Sequence, residues 1–189
     1  MRKHNKPWKA LQDGLSEAIK GAGDVGVAIV DTVADMLGVA LQDSGKLGAS
    51  ALGTVSEIAG AVVQAAAKVG GEIGLVAKGF LLGLLRATEE TGEEALATIG
   101  HAAGSFMKQT GAVGGDLCAA ATGLVEGAIA LAKELGLDAV DAGSTAAQAA
   151  LEAAYEVSAT AGDKVRDALK GTISGIKVVL KEPFRTPDR

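Results

Sequence analysis

Five columns of the sequence, read at a spacing of eleven residues, contain no charged side chain. They begin at Leu11, Gly14, Leu15, Ala18 and Ile19 and together cover 75 positions. A chain that is 22% charged would place roughly 16 charges there by chance. The column from Ile19 runs Ile19, Val30, Leu41, Leu52, Val63, Gly74, Leu85, Leu96, Met107, Cys118, Ile129, Val140, Leu151, Gly162, Ile173. The column from Asp13 is mostly polar, with Asp24, Asp35, Lys46, Glu57, Lys68 and Glu90 among its members. Eleven residues in three turns is about 3.67 per turn, so each column becomes a nearly axial stripe on an α-helix. With no proline between Pro7 and Pro183, the pattern predicts an all-α protein. It is a long amphipathic helix or a few helices sharing one continuous eleven-residue repeat.

A second period lies on the first. In the column from Leu15, glycine takes every other place at Gly26, Gly48, Gly70, Gly92, Gly114 and Gly136. Glycine inside a helix costs about 1 kcal/mol against alanine, so the six are read as helix-packing positions where another backbone comes close. The spaced pairs Gly79/Gly83, Gly100/Gly104, Gly123/Gly127 and Gly171/Gly175 are read the same way.

Because the polar columns keep their frame from Lys9 to Asp167, a continuous rod of ~250 Å at 1.5 Å per residue is favoured. If the chain folds back instead, its hinges belong at Gly70-Gly71, Gly111 to Gly115 and Gly136 to Gly143. The expected organisation is a basic N-terminal tail over 1–8, a helical repeat region over 9–181 and a C-terminal tail over 182–189. Asn5 with Pro7 starts the helix and Pro183 ends it.

Chemistry-bearing residues are few. Gly21, Gly23 and Gly26 match GxGxxG, but a dinucleotide site needs a strand before them and Leu15 to Lys20 continues the helical pattern. The carboxylate pairs Asp31/Asp35, Glu152/Glu156 and Asp163/Asp167 and the cluster Glu89, Glu90, Glu93, Glu94 belong to solvated faces. No Glu-x-x-His motif exists for a carboxylate-bridged metal pair, since Thr98 stands three before His101. His101 is expected on the exposed polar side, and Cys118 as a small apolar side chain. No enzyme, cofactor or metal is expected, because no nucleophile, base and orienter can be assembled.

The body of the chain is acidic between basic ends, which argues against nucleic acid as a partner. A single cysteine, no secretory leader and no apolar run of ~18 residues give the expectation of a cytoplasmic protein. The ends pair aromatics with cations, Trp8 with Lys3, Lys6 and Lys9, and Phe184 with Lys181 and Arg185. These are candidate interfacial anchors.

The eleven-residue columns with their overtone of 22 resemble the amphipathic helices of exchangeable apolipoproteins, synucleins and perilipin-type lipid-droplet coats, and in size and class the chain is similar to bacterial phasins. The resemblance is one of pattern over roughly Lys9 to Ile173, and prolines between units and regular flanking lysines are missing. It implies a protein lying on a membrane, a lipid droplet or a granule surface. The residues themselves favour a different class, a structural protein whose Gly/Ala-rich stripe packs against copies of itself into a homo-oligomer or filament. Lipid contact rewards bulky side chains, whereas close helix packing tolerates glycine and alanine.

Overall fold

The computed structural model describes residues 13, 14, 16, 17, 25–42, 49–88 and 92–181. Seven helices follow in chain order: α1 (Val25–Gln42), α2 (Ala49–Val69), α3 (Ile73–Thr88), α4 (Gly92–Ala112), α5 (Leu117–Leu135), α6 (Ala139–Val157) and α7 (Ala159–Leu169). A small antiparallel hairpin ends the described chain, with β1 (Thr172–Ile173) pairing β2 (Ile176–Lys177). The all-α expectation holds. The rod does not, because the helices are broken at regular intervals and packed on one another.

The breaks explain the glycine column. Gly70, Gly92, Gly114 and Gly136 all have φ between 63° and 70°, the left-handed region that side chains with a Cβ avoid. The turns at Gly70, Gly114 and Gly136 follow one pattern. The amide just after the left-handed glycine donates back to a carbonyl near the helix end, as in Gly71 to Ala66 (3.0 Å), Gly115 to Thr110 (2.8 Å) and Leu137 to Ala132 (2.9 Å). An acidic residue then starts the next helix. The Asp116 carboxylate accepts from the amides of Cys118 and Ala119, both at 3.0 Å. Asp138 accepts from Val140 at 2.8 Å and Asp141 at 3.0 Å. These bonds satisfy the orphan donors of a first turn.

The helix-packing role expected at Gly70, Gly92, Gly114 and Gly136 is therefore not what they do within the chain. Around Gly70, Gly92, Gly114 and Gly136 no atom lies within 4 Å of where a Cβ would stand, so no neighbouring backbone closes on them. Their conformation demands glycine, and the space around them does not. Gly26 lies within α1, and Gly48 falls outside the described residues.

It follows that Gly70→Ala and Gly70→Leu should destabilise the fold to a similar extent, about 1–2 kcal/mol for a left-handed non-glycine residue. Chemical denaturation of both variants checks this. A leucine penalty far above that of alanine would show that Gly70 is crowded after all.

Packing is set by helices two apart. In one layer α1 packs on α3, α3 on α5 and α5 on α7; in the other α2 packs on α4 and α4 on α6. Neighbours within a layer run parallel, since residues met along one helix advance with those on the next. Gly74 meets Ala119 and Gly127 meets Lys78, while Lys78 pairs with Glu126 and Arg86 with Glu134. Consecutive helices reverse direction, so Gly143 of α6 rests on Ile129 of α5.

The charge-free columns fill the space between the layers. In the column from Leu11, the residues Val33, Val55, Ala66, Ala77, Ile99, Ala121, Ala132, Ala154 and Val165 are at most 1% exposed. In the column from Leu15, the places between turn glycines hold Ala59, Leu81, Ala103, Val125 and Ala147, all fully buried. Phe80 of α3 and Phe106 of α4 meet across the layers with ring centroids 5.2 Å apart.

Glycines outside the overtone column carry the close helix contacts. A Cβ on Gly123 would collide with the carbonyl of Gly74, and one on Gly83 would stand 2.6 Å from the carbonyl of Val30. Gly100 and Gly104 face Thr145 and Ala149 of α6. Of the spaced pairs, Gly123/Gly127 and Gly100/Gly104 thus line helix contacts within the chain. Gly171 and Gly175 instead have φ of 107° and 81° beside the hairpin turn.

The hairpin and the segment after it pack at the end of the second layer. Ile173 and Val178 are buried, and the Val179 amide donates to Ser144 Oγ at 3.0 Å while the Lys181 amide donates to Gln148 Oε1 at 3.1 Å. This segment lies along α6, which has α4 on another side.

Candidate functional site

Three polar arrangements and one cleft stand out among the described residues. The first joins α2 to α4. Ser56 Oγ lies 3.0 Å from Ser105 Oγ and donates to the Leu52 carbonyl at 3.2 Å. His101 Nε2 lies 3.1 Å from the same carbonyl and 3.5 Å from each serine oxygen. Since a carbonyl only accepts, Nε2 carries a proton in this arrangement. His101 is therefore half-buried and bonded across a helix contact, which corrects its expected exposure. With Nε2 directed at a carbonyl it does not take a proton from Ser56, so the group reads as a polar clasp between helices.

A second arrangement is a set of ion pairs between parallel neighbours. Lys78 with Glu126 (3.7 Å), Arg86 with Glu134 (3.3 Å) and Lys108 with Glu156 (2.9 Å) all join helices two apart. Every partner is more than a third exposed, and pairs of this kind contribute about 0–1 kcal/mol each.

The third lies where α6 turns into α7. Ser158 closes one helix and caps the next, its Oγ accepting from the Ala161 amide at 3.0 Å. The Tyr155 ring covers Gly162, and its hydroxyl donates to Asp163 Oδ1 at 2.9 Å. That hydrogen bond, more than burial, raises the phenol above its ordinary pKa. Asp167 is held below the usual carboxylate range, first by the hydrogen bond from Lys170 and then by its charge.

Two of the carboxylate pairs noted in the sequence, Glu152/Glu156 and Asp163/Asp167, are spent on such contacts. Asp163 takes Tyr155 and Arg166, Glu156 takes Lys108, and Glu152 accepts from Gln148 at 3.0 Å. Among the described residues no group of three or more His, Cys, Asp or Glu could hold a metal ion. Of the interfacial anchors, Lys181 is described and exposed. Lys3, Lys6, Trp8, Lys9, Phe184 and Arg185 lie outside the described residues, as do Gly21 and Gly23.

The cleft has a volume of about 780 Å³ and opens where α2 and α4 end and α3 and α5 begin. Val63 and Ala66 form a buried apolar floor, and Leu75 and Val113, 45% and 43% exposed, stand on its walls. Three carboxylates line it, from Glu72, Asp116 and Glu126, and no basic side chain does. Cys118, the single cysteine, is in the wall and half-buried. Burial pushes its thiol above the ordinary range and the Asp116 charge adds to this, against a smaller pull from Lys164. A raised thiol is a poor nucleophile.

The cleft was not legible in the columns, because it forms between turns. The turns themselves carried a signal that goes unread in the column analysis. A glycine followed two residues later by an acid occurs at Gly70-Gly71-Glu72, Gly92-Glu93-Glu94, Gly114-Gly115-Asp116 and Gly136-Leu137-Asp138. At Gly70, Gly114 and Gly136 that is a helix stop joined to a helix start, while Gly92 opens α4 itself.

No helix among the described residues is long and apolar enough to cross a membrane. Set against known protein families, curated proteins and solved structures, the chain matches none.

Proposed function

We propose that this is a structural helical-repeat protein that acts through its surfaces and assembles with copies of itself. The observation that carries the reading is the stacking rule, by which α1 to α5 each meet the next helix but one, with polar contacts from α2, α3 and α4 that reach 45 to 49 residues along the chain. A repeat of this kind buries its core only through neighbours and adds units at its ends. The polar groups that the fold brings together, around His101 and around Tyr155, serve as ties between helices.

Support for assembly comes from the first helices of each layer. Val27 of α1 and Leu52 of α2 remain 55% and 40% exposed, and covering them gains apolar burial at about 25 cal/mol per Å². Most described members of the apolar columns are covered within the chain, so assembly rests on exposed members such as Leu52 and not on an open stripe.

Sedimentation of the full chain should give a mass that is a multiple of 18.7 kDa, and the double variant Val27→Glu, Leu52→Glu should shift it toward the monomer. A monomer at every concentration overturns the reading. If that monomer binds anionic vesicles tightly, the coat on lipid or granule surfaces takes its place.

A further inference from the structure

We propose that the cleft between the α2–α3 and α4–α5 turns binds an apolar molecule bearing a cationic head, of which an alkylammonium ion is the simplest case. Its volume of about 780 Å³ falls within the roughly 300–1,000 Å³ of small-molecule sites. Floor and walls are aliphatic, which suits a hydrocarbon body. The polar end is decided by charge. Glu126 is engaged by Lys78 at 3.7 Å. Asp116 uses one oxygen, Oδ1, for both bonds to the α5 amides, which leaves Oδ2 for a ligand. Glu72 is exposed, and no ion pair engages it among the described residues.

The competing occupant is an anion, because the first turns of α3 and α5 open toward the cleft and helix N-termini attract negative charge. Two amides of α5 are already satisfied by Asp116, however, and Glu72 stands at the head of α3. A carboxylate ligand would enter beside Glu72 and Asp116, which no ion pair offsets among the described residues, and beside a Glu126 already paired with Lys78. This inference is independent of self-assembly, since all the residues it uses belong to one copy.

Cys118 supplies the measurement. In the full-length protein, its alkylation by neutral iodoacetamide is followed with decyltrimethylammonium or decanoate, each kept below its micelle concentration. The ammonium should slow the reaction saturably, about tenfold at ten times its dissociation constant, and decanoate should leave it nearly unchanged. Ala67, an exposed residue lining the cleft, gives the blocking variant. Ala67→Trp should abolish protection while the helical circular dichroism is retained. The pair Glu72→Gln, Asp116→Asn keeps a capping side chain at 116 and should weaken protection several-fold.

Equal protection by decanoate and the ammonium would overturn the cationic specificity. Protection that survives in Ala67→Trp, or no protection by either probe, would overturn the site. Faster alkylation with the ammonium, meaning that the amphiphile opens the helices, would overturn it as well.

Discussion

Phe106→Ala is expected to cost about 3–5 kcal/mol of folding free energy. In a chain of this length that lowers the thermal midpoint by roughly 10 °C. The magnitude follows from what the ring replaces. Alanine makes up a large share of the core and buries little area, while Phe80 and Phe106 are the largest fully buried side chains in it. Phe80 and Phe106 are both fully buried, and their rings meet at 5.2 Å with planes tilted by 35°. They sit on α3 and α4, one in each layer, so removing either leaves a cavity that rigid helices close poorly. Thermal circular dichroism of Phe106→Ala, Phe80→Ala and the double variant measures this. The double should lose less than the two singles added together, by about 0.5–1.5 kcal/mol for the aromatic pair. A single-variant loss under about 1 kcal/mol would mean that the layers are held by their small residues alone.

Gly123→Ala is expected to destabilise although alanine is the better helix former. The Cβ would run into the Gly74 carbonyl oxygen, and would stand 2.7 Å from its carbon and 2.9 Å from its Cα. These are backbone atoms, so no rotamer change relieves the clash and α3 must move away from α5. Overpacking of this kind costs typically about 1–3 kcal/mol, more than the roughly 1 kcal/mol gained in helix propensity. Gly53→Ala is the matched control. It lies in α2, is exposed and has nothing within 4 Å of its missing Cβ, so it should stabilise by up to about 1 kcal/mol. Urea midpoints for the two variants should therefore move in opposite directions. If both rise, α3 and α5 are free to separate, and close approach is not what Gly123 provides.

These two glycines show how far residue type alone can be read. The sequence contains 27 glycines, and among the described residues they occupy different environments: left-handed turns such as Gly136, backbone contacts such as Gly123, side-chain contacts such as Gly143 and open helical surface such as Gly53. The overtone glycines look like a packing stripe because they share a column with Leu81 and Val125, which are buried. The column alternates between two environments because a turn falls in every second unit. His101 shows the same limit from the polar side. Its column marks it as surface, yet α2 brings Ser56 and the Leu52 carbonyl against it.

The helical period, the inward columns and the glycine overtone were determined by the sequence alone, because an amphipathic helix imposes its geometry on every turn regardless of what it packs against. The possible hinges at Gly70-Gly71, Gly111 to Gly115 and Gly136 to Gly143 were legible for the same local reason, and turns do fall at or within them. Whether the chain breaks there was decided by tertiary structure. From α3 to α5 each helix plus its short connection spans 22 residues, as the spacing of Gly70, Gly92, Gly114 and Gly136 shows. The repeat therefore returns in frame after every reversal, and a folded stack and a rod produce one column pattern. Only packing separates them: a rod leaves its apolar columns in water, whereas reversals at the glycines let helices two apart cover one another and fill the space between the layers.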